Sequence, residues 1–237
     1  VAVGRDALVA NTTGNANVAL GFNALVANTT ADDNVSIGSS SMITNTTGAG
    51  NTAVGRLALY ANTTGSNSVA VGIRALDANT TGGGNVALGH DALGVNIDGS
   101  SNVACGYNTM DAHTTGNDNA AWGAHALGAS TTGARNTGIG YAAGSNITTG
   151  SNNTCVGYHA ATAAVDSTQS ITLGNGDITT LRCADTSIST LSDSRDKTNI
   201  VDIPLGLAFL NTVRPVSFDW DTRDGTRVGK KDFGFIA

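Results

Sequence analysis

The residues best equipped for chemistry stand together in Leu191-Ser192-Asp193-Ser194-Arg195-Asp196-Lys197-Thr198-Asn199-Ile200. A serine hydroxyl becomes a nucleophile when a base takes its proton, and a lysine can serve as that base if burial lowers its pKa. Lys197 is the first lysine in the chain and lies five residues beyond Ser192. Attack by Ser192 on the carbonyl of Leu191 passes through a five-membered ring, an N-to-O acyl shift. Attack on its own carbonyl needs a strained four-membered ring. The same residues have a plainer reading: Ser192 and Asp193 suit the cap of a helix suggested by Arg195 to Ile200. Taken alone, the residues favour the cap, and nothing in them singles out Lys197.

The element before this stretch is a repeat. Asn51-Thr52-Ala53-Val54-Gly55 returns in variants every 17 residues, its glycine at Gly4, Gly21, Gly38, Gly55, Gly72, Gly89, Gly106, Gly123, Gly140, Gly157 and Gly174. A fixed period without insertions is the mark of a solenoid whose coils stack. The residue before the glycine is always apolar, as in Leu20, Ile37, Val54 and Leu88, and two positions earlier stands Val18, Val35, Thr52 or Val86. Between them lies a small residue, usually alanine. Spacing of two puts large residues on one strand face and alanines on the other. The large face is expected to point inward, leaving a flat alanine face for another subunit.

A second apolar element ends in Leu8, Leu25, Met42, Leu59 or Leu76, and a corner such as Asn62-Thr63-Thr64-Gly65 closes the coil. Two strands of about five residues and two turns account for the period. Asn and Gly at the corner tolerate a left-handed backbone. The asparagines before the rung (Asn17, Asn34, Asn51, Asn85, Asn102) should stack as an amide ladder. The expected fold is all-β, a parallel solenoid of 17-residue coils over residues 1–174, a rod of roughly 50 Å at about 4.8 Å per coil. So thin a core predicts pairing with copies of the chain, as a homotrimer. The pattern loosens after Gly140, where Gly144 and Ala161 replace the leucine. Residues 175–191 alternate apolar and polar and read as short strands forming a neck.

Composition narrows the function. Charged residues make up 13% of the chain, about half the usual share, and there is no glutamate. Residues 1–174 carry 4 Arg, no Lys and 9 Asp, whereas residues 175–237 carry 8 Lys and Arg against 9 Asp. That shift marks a domain boundary. No basic stripe suits a nucleic-acid partner, and no apolar run suits membrane insertion. The chain opens inside a rung, as a fragment would. Cys105, Cys155 and Cys183 are widely spaced, and Cys105 reads as a small buried hydrophobe. His90, His113, His125 and His159 occupy three repeat positions without a His-x-His pair, so no metal is expected, and no cofactor. Asn-Thr-Thr is formally a glycosylation acceptor, but it recurs because the corner recurs. Glycan cleavage needs two positioned carboxylates, and Asp6, Asp77, Asp91 and Asp111 read as scattered. No turnover enzyme is expected.

The rungs, with their Val-Ala-Val/Leu-Gly core and preceding asparagine, resemble the head repeats of trimeric autotransporter adhesins and repeats in tail fibres of marine phages. Ser192, Asp193, Arg195 and Lys197, with Leu210, Arg214-Pro215-Val216-Ser217-Phe218-Asp219-Trp220 and Gly234-Phe235-Ile236-Ala237, resemble the intramolecular chaperone (peptidase S74) domain at the C-terminus of phage tail spikes and fibres. That resemblance implies an α+β domain, begun here over residues 192–237, that assembles a trimer and then cuts itself off once. It implies Ser192 and Lys197 as the catalytic pair, with Asp193 and Arg195 supporting. The resulting expectation is a structural virion protein, a trimeric tail fibre that meets other tail proteins and a host cell-surface receptor, a glycan or outer-membrane component. A bacterial trimeric surface adhesin is the alternative.

Overall fold

The structure is a computed structural model that describes residues 1–180, 214–219 and 231–236. The chain divides into two compact units, Val1–Leu181 and Arg182–Ala237. The first is a parallel β-solenoid with one short strand per coil. Its strands are β1 (Ala2–Val3), β2 (Val18–Leu20), β3 (Val35–Ile37), β4 (Thr52–Val54), β5 (Val69–Val71), β6 (Val86–Leu88), β7 (Val103–Cys105), β8 (Ala120–Trp122), β9 (Thr137–Ile139), β10 (Thr154–Val156) and β11 (Ile171–Leu173). They form one sheet in sequence order, and each residue pairs with the one 17 positions on, as Ala70 does with Ala87. No helix occurs among the described residues.

The strand faces are reversed from the sequence expectation. Ala19, Ala53, Ala70, Ala87, Ala104 and Ala121 are fully buried, while Leu20, Val71, Leu88, Trp122 and Ile139 are 38–53% exposed. The chain after the rung folds back and carries its leucine beneath the alanine row, so Leu25, Leu59, Leu76 and Leu93 are fully buried. Only a small residue fits opposite. At Gly138, in the alanine row, an added Cβ would stand 3.0 Å from Leu127 Cγ. Where serine replaces alanine at Ser36, its hydroxyl meets that of Ser41 at 2.5 Å across the interior.

The expected second strand is absent. That tract is a run of turns with alternate residues in the left-handed region: Asp91 at φ 55° and Leu93 at φ 51°, repeated as Asn23 with Leu25 and Leu57 with Leu59. A left-handed leucine costs about 1–2 kcal/mol. Burying its side chain contributes about 1.5–3 kcal/mol, and the coil-to-coil ladder still satisfies its backbone, as in Leu93 N to Thr109 O at 3.0 Å. Burial therefore overrides the local preference.

The corner differs too. Asn62 and Gly65 are not left-handed. The corner glycines are required by close approach between coils: at Gly48 a Cβ would stand 2.6 Å from Asn45 Oδ1 and collide with Gly65 O. The rung glycines are left-handed, Gly55 at φ 140° and Gly72 at φ 139°, and at Gly38 a Cβ would fall 2.6 Å from the Gly55 carbonyl carbon.

Two buried asparagine ladders run along the rod. The expected one, before the rung, uses each Oδ1 to accept from the next coil's backbone, as Asn51 N to Asn34 Oδ1 at 2.9 Å, while Asn51 Nδ2 donates to Gly65 O at 2.8 Å. Side chain meets side chain in that row at Asn119 to Asn102 (3.0 Å) and Asn153 to Asn136 (3.1 Å), and coil after coil in the corner row: Asn62 Nδ2 to Asn45 Oδ1 at 2.8 Å, Asn79 to Asn62 at 2.9 Å and Asn96 to Asn79 at 2.8 Å. The corner threonines form a third row, each hydroxyl donating to the next coil's carbonyl, as Thr63 Oγ1 to Thr80 O at 3.1 Å.

Where Gly144 removes the core leucine, a second change compensates. Ile147 replaces the corner asparagine, is fully buried, and places Cδ1 3.3 Å from where a Gly144 Cβ would stand. Of the expected neck, residues 175–180 form no strand: Gly176 and Asp177 make a turn closed by Ile178 N to Asn175 O at 3.2 Å, and 181–191 lie outside the described residues. In the second unit, β12 (Arg214–Asp219) and β13 (Lys231–Ile236) pair antiparallel, Arg214 opposite Ile236 and Asp219 opposite Lys231.

Candidate functional site

Ser192, Asp193, Arg195 and Lys197 lie outside the described residues, as do Cys183 and the helix suggested over 195–200. Three surface features of the solenoid are well described.

The first is the outward apolar row. The residue before each rung glycine faces away from the core, and Val3, Leu20, Val71, Leu88, Trp122, Ile139 and Leu173 are all 38–55% exposed. Cys105 stands in this row, half-buried. The buried cysteine is instead Cys155, in the alanine row, and burial pushes both thiols up. Neither is a poised thiolate.

The second feature is a chain of rings just past the rung glycines. His90 and Tyr107 stack at 5.6 Å, Tyr107 meets His125 edge-on at 5.5 Å, His125 meets Tyr141 at 5.8 Å, and Tyr141 stacks on Tyr158 at 5.5 Å. Coil stacking places His90 and His125 on either side of Tyr107 in this chain, although they occupy different repeat positions. His113 is different, being fully buried in the corner ladder with Nε2 2.9 Å from Gly116 O. No cluster of three potential metal ligands occurs among the described residues.

The third feature overturns the reading of the aspartates as scattered. Counting each coil from its first strand position, Asp77 and Asp111 are both ninth residues, and Asp91 is a sixth residue on the coil between them. All three line one concavity of about 560 Å³, with Tyr60, Arg74, Val95 and Asn108. Asp91 is committed to cations: its Oδ2 accepts from Arg74 at 2.5 Å and lies 2.7 Å from His90 Nδ1. Among the described residues Asp77 and Asp111 form no ion pair. Burial lifts the Asp77 carboxyl above its usual range, with Arg74 partly offsetting it. Positions modulo 17 would have found this cluster; the linear sequence separates Asp77 from Asp111 by two full coils.

Residues 192–237 match the peptidase S74 family, described as the chaperone of endosialidase. No curated protein and no solved structure matches the chain. The family match and the β-solenoid together support a tail-fibre-like protein with an intramolecular chaperone segment.

Proposed function

We propose that this chain is part of a homotrimeric phage tail fibre that contributes to host attachment, and that its C-terminal segment is a trimerisation chaperone that cuts itself once. The observation that carries this reading is the chaperone-family match beginning at Ser192, shortly after an unbroken solenoid. The outward apolar row supports it. Soluble monomers rarely expose contiguous apolar surface of more than a few hundred Å², and here large apolar side chains recur along the whole rod. Packing three rods about a three-fold axis would cover the row in a closed ring of equivalent contacts. The alanine face cannot serve, being already inside.

Cleavage is assigned to Ser192, with Lys197 as the base and Asp193 and Arg195 in support. Attack on the Leu191 carbonyl converts the peptide to an ester, the freed amine of Ser192 takes a proton, and water then releases the carboxylate of Leu191. Such a cut happens once per chain and is maturation, with no turnover. The rod would stay on the virion, exposed outside the cell.

The test is the intact mass of the protein expressed from its complete gene, beside Ser192→Ala, with light scattering for the oligomer. A product ending at Leu191, an uncut variant and a trimeric mass support the reading, and a product ending at Ser192 would refute attack on the Leu191 carbonyl. An uncut wild type removes the Ser–Lys assignment, and a monomeric rod removes the fibre assignment.

A further inference from the structure

The concavity on coils four to seven is made by an absence that the backbone does not demand. The ninth residue of a coil is Val9, Val26, Ile43, Tyr60, Asp77 and then Gly94. Gly94 is not left-handed, and a Cβ there would meet nothing nearer than Asp91 O at 3.3 Å and Asp77 Oδ1 at 3.5 Å. A side chain is therefore admissible at this position, as valine is in the equivalent place of earlier coils. Glycine leaves an opening floored by backbone and walled by Tyr60 and Val95, which are 41% and 42% exposed.

We propose that this concavity binds an uncharged saccharide. Its volume falls in the range of small-ligand sites, roughly 300–1,000 Å³. Asp77 and Asp111 offer carboxylate oxygens to which no side chain among the described residues donates, and vicinal hydroxyls are donors of matching geometry. The Arg74–Asp91 pair adds a fixed donor and acceptor, and the Tyr60 ring gives an apolar wall for the C–H face of a sugar. Three carboxylates against one guanidinium make the lining acidic, which disfavours sialic, uronic and phosphorylated sugars. A second copy of the chain is a poor occupant, because it would bury two carboxylates without partners. That the saccharide stands on a cell surface rests on the fibre reading; its chemical class rests on the lining alone.

The test is a glycan array carrying neutral and acidic oligosaccharides, probed with the full chain and with Gly94→Val. Binding to neutral glycans and not to acidic ones is expected. In Gly94→Val that binding should fall on the order of tenfold or more, with melting temperature and oligomeric state unchanged. Should Gly94→Val fold poorly, Asp111→Ser replaces it, since Ser145 occupies the same coil position. The proposal is overturned if no neutral glycan binds, if acidic glycans bind equally well, or if the folded variant binds like the wild type. A trimeric, self-cut chain that ignores glycans would refute the site and leave the fibre reading intact. A monomeric, uncut chain that binds them would do the reverse.

Discussion

Replacing His113 by asparagine should repair a break in the rod. Along the corner row each Nδ2 lies 2.7–3.2 Å from the Oδ1 of the coil before, from Asn11 to Asn96. The row then meets His113. Its ring keeps the bond to Gly116 O at 2.9 Å and a long contact to Ser130 Oγ at 3.4 Å, but Asn96 Oδ1 is left buried without a donor. An unsatisfied buried acceptor costs about 1–3 kcal/mol, and His113→Asn supplies the missing donor in the geometry used five times upstream. Loss of ring packing and of the Ser130 contact offsets part of this, so a net gain of about 1–2 kcal/mol is expected. The pH response should change as well. Burial holds the His113 imidazole below its ordinary value, with Gly116 and Ser130 partly offsetting it. The unfolded chain therefore takes up the proton first. Wild-type stability is full above about pH 6.5 and declines as pH falls below it, levelling off beneath the folded-state pKa. Hydrogen exchange of peptides covering residues 93–130, measured at pH 7.5 and 5.5, reads both effects. The variant should exchange roughly 5–30-fold more slowly at pH 7.5, and its protection should depend less on pH than that of the wild type. A variant that exchanges faster at pH 7.5, or keeps the wild-type pH dependence, would refute this account of the ladder.

The reversed strand faces make opposite demands on adjacent residues. Ala87→Val should destabilise the rod by about 1–3 kcal/mol through overpacking against the leucine row, seen as a lower denaturation midpoint. Leu88→Asp together with Ile139→Asp should leave the coils folded by circular dichroism yet lower the mass in light scattering; an unchanged oligomer would remove the outward row from the interface. Gly72→Ala places a Cβ 2.6 Å from the Gly89 carbonyl carbon at a φ of 139°, so soluble expression should fall sharply. Wild-type yield and melting for that variant would mean that the coils can part to admit a methyl group.

Much of this rod follows from the sequence alone. A 17-residue period without slippage dictates the coil length, the strand position, the parallel register and the stacking of like over like, because all of these are properties of the repeat. The asparagine ladder before the rung follows for the same reason. Which strand face is inside does not follow: alternation separates Val86 and Leu88 from Ala87, but only the return of Leu93 across the coil makes the interior too narrow for a large side chain at the middle strand position. Nor does the left-handed backbone of Leu93, where burial overrides a local preference that the residue type predicts. The acidic concavity depends on three coils placing Asp77, Asp91 and Asp111 on one flank, with Gly94 withholding a side chain between them. Period and register are local and repeated, so one dimension records them; facing and concavity depend on what the next coil puts opposite, and that is decided in three dimensions.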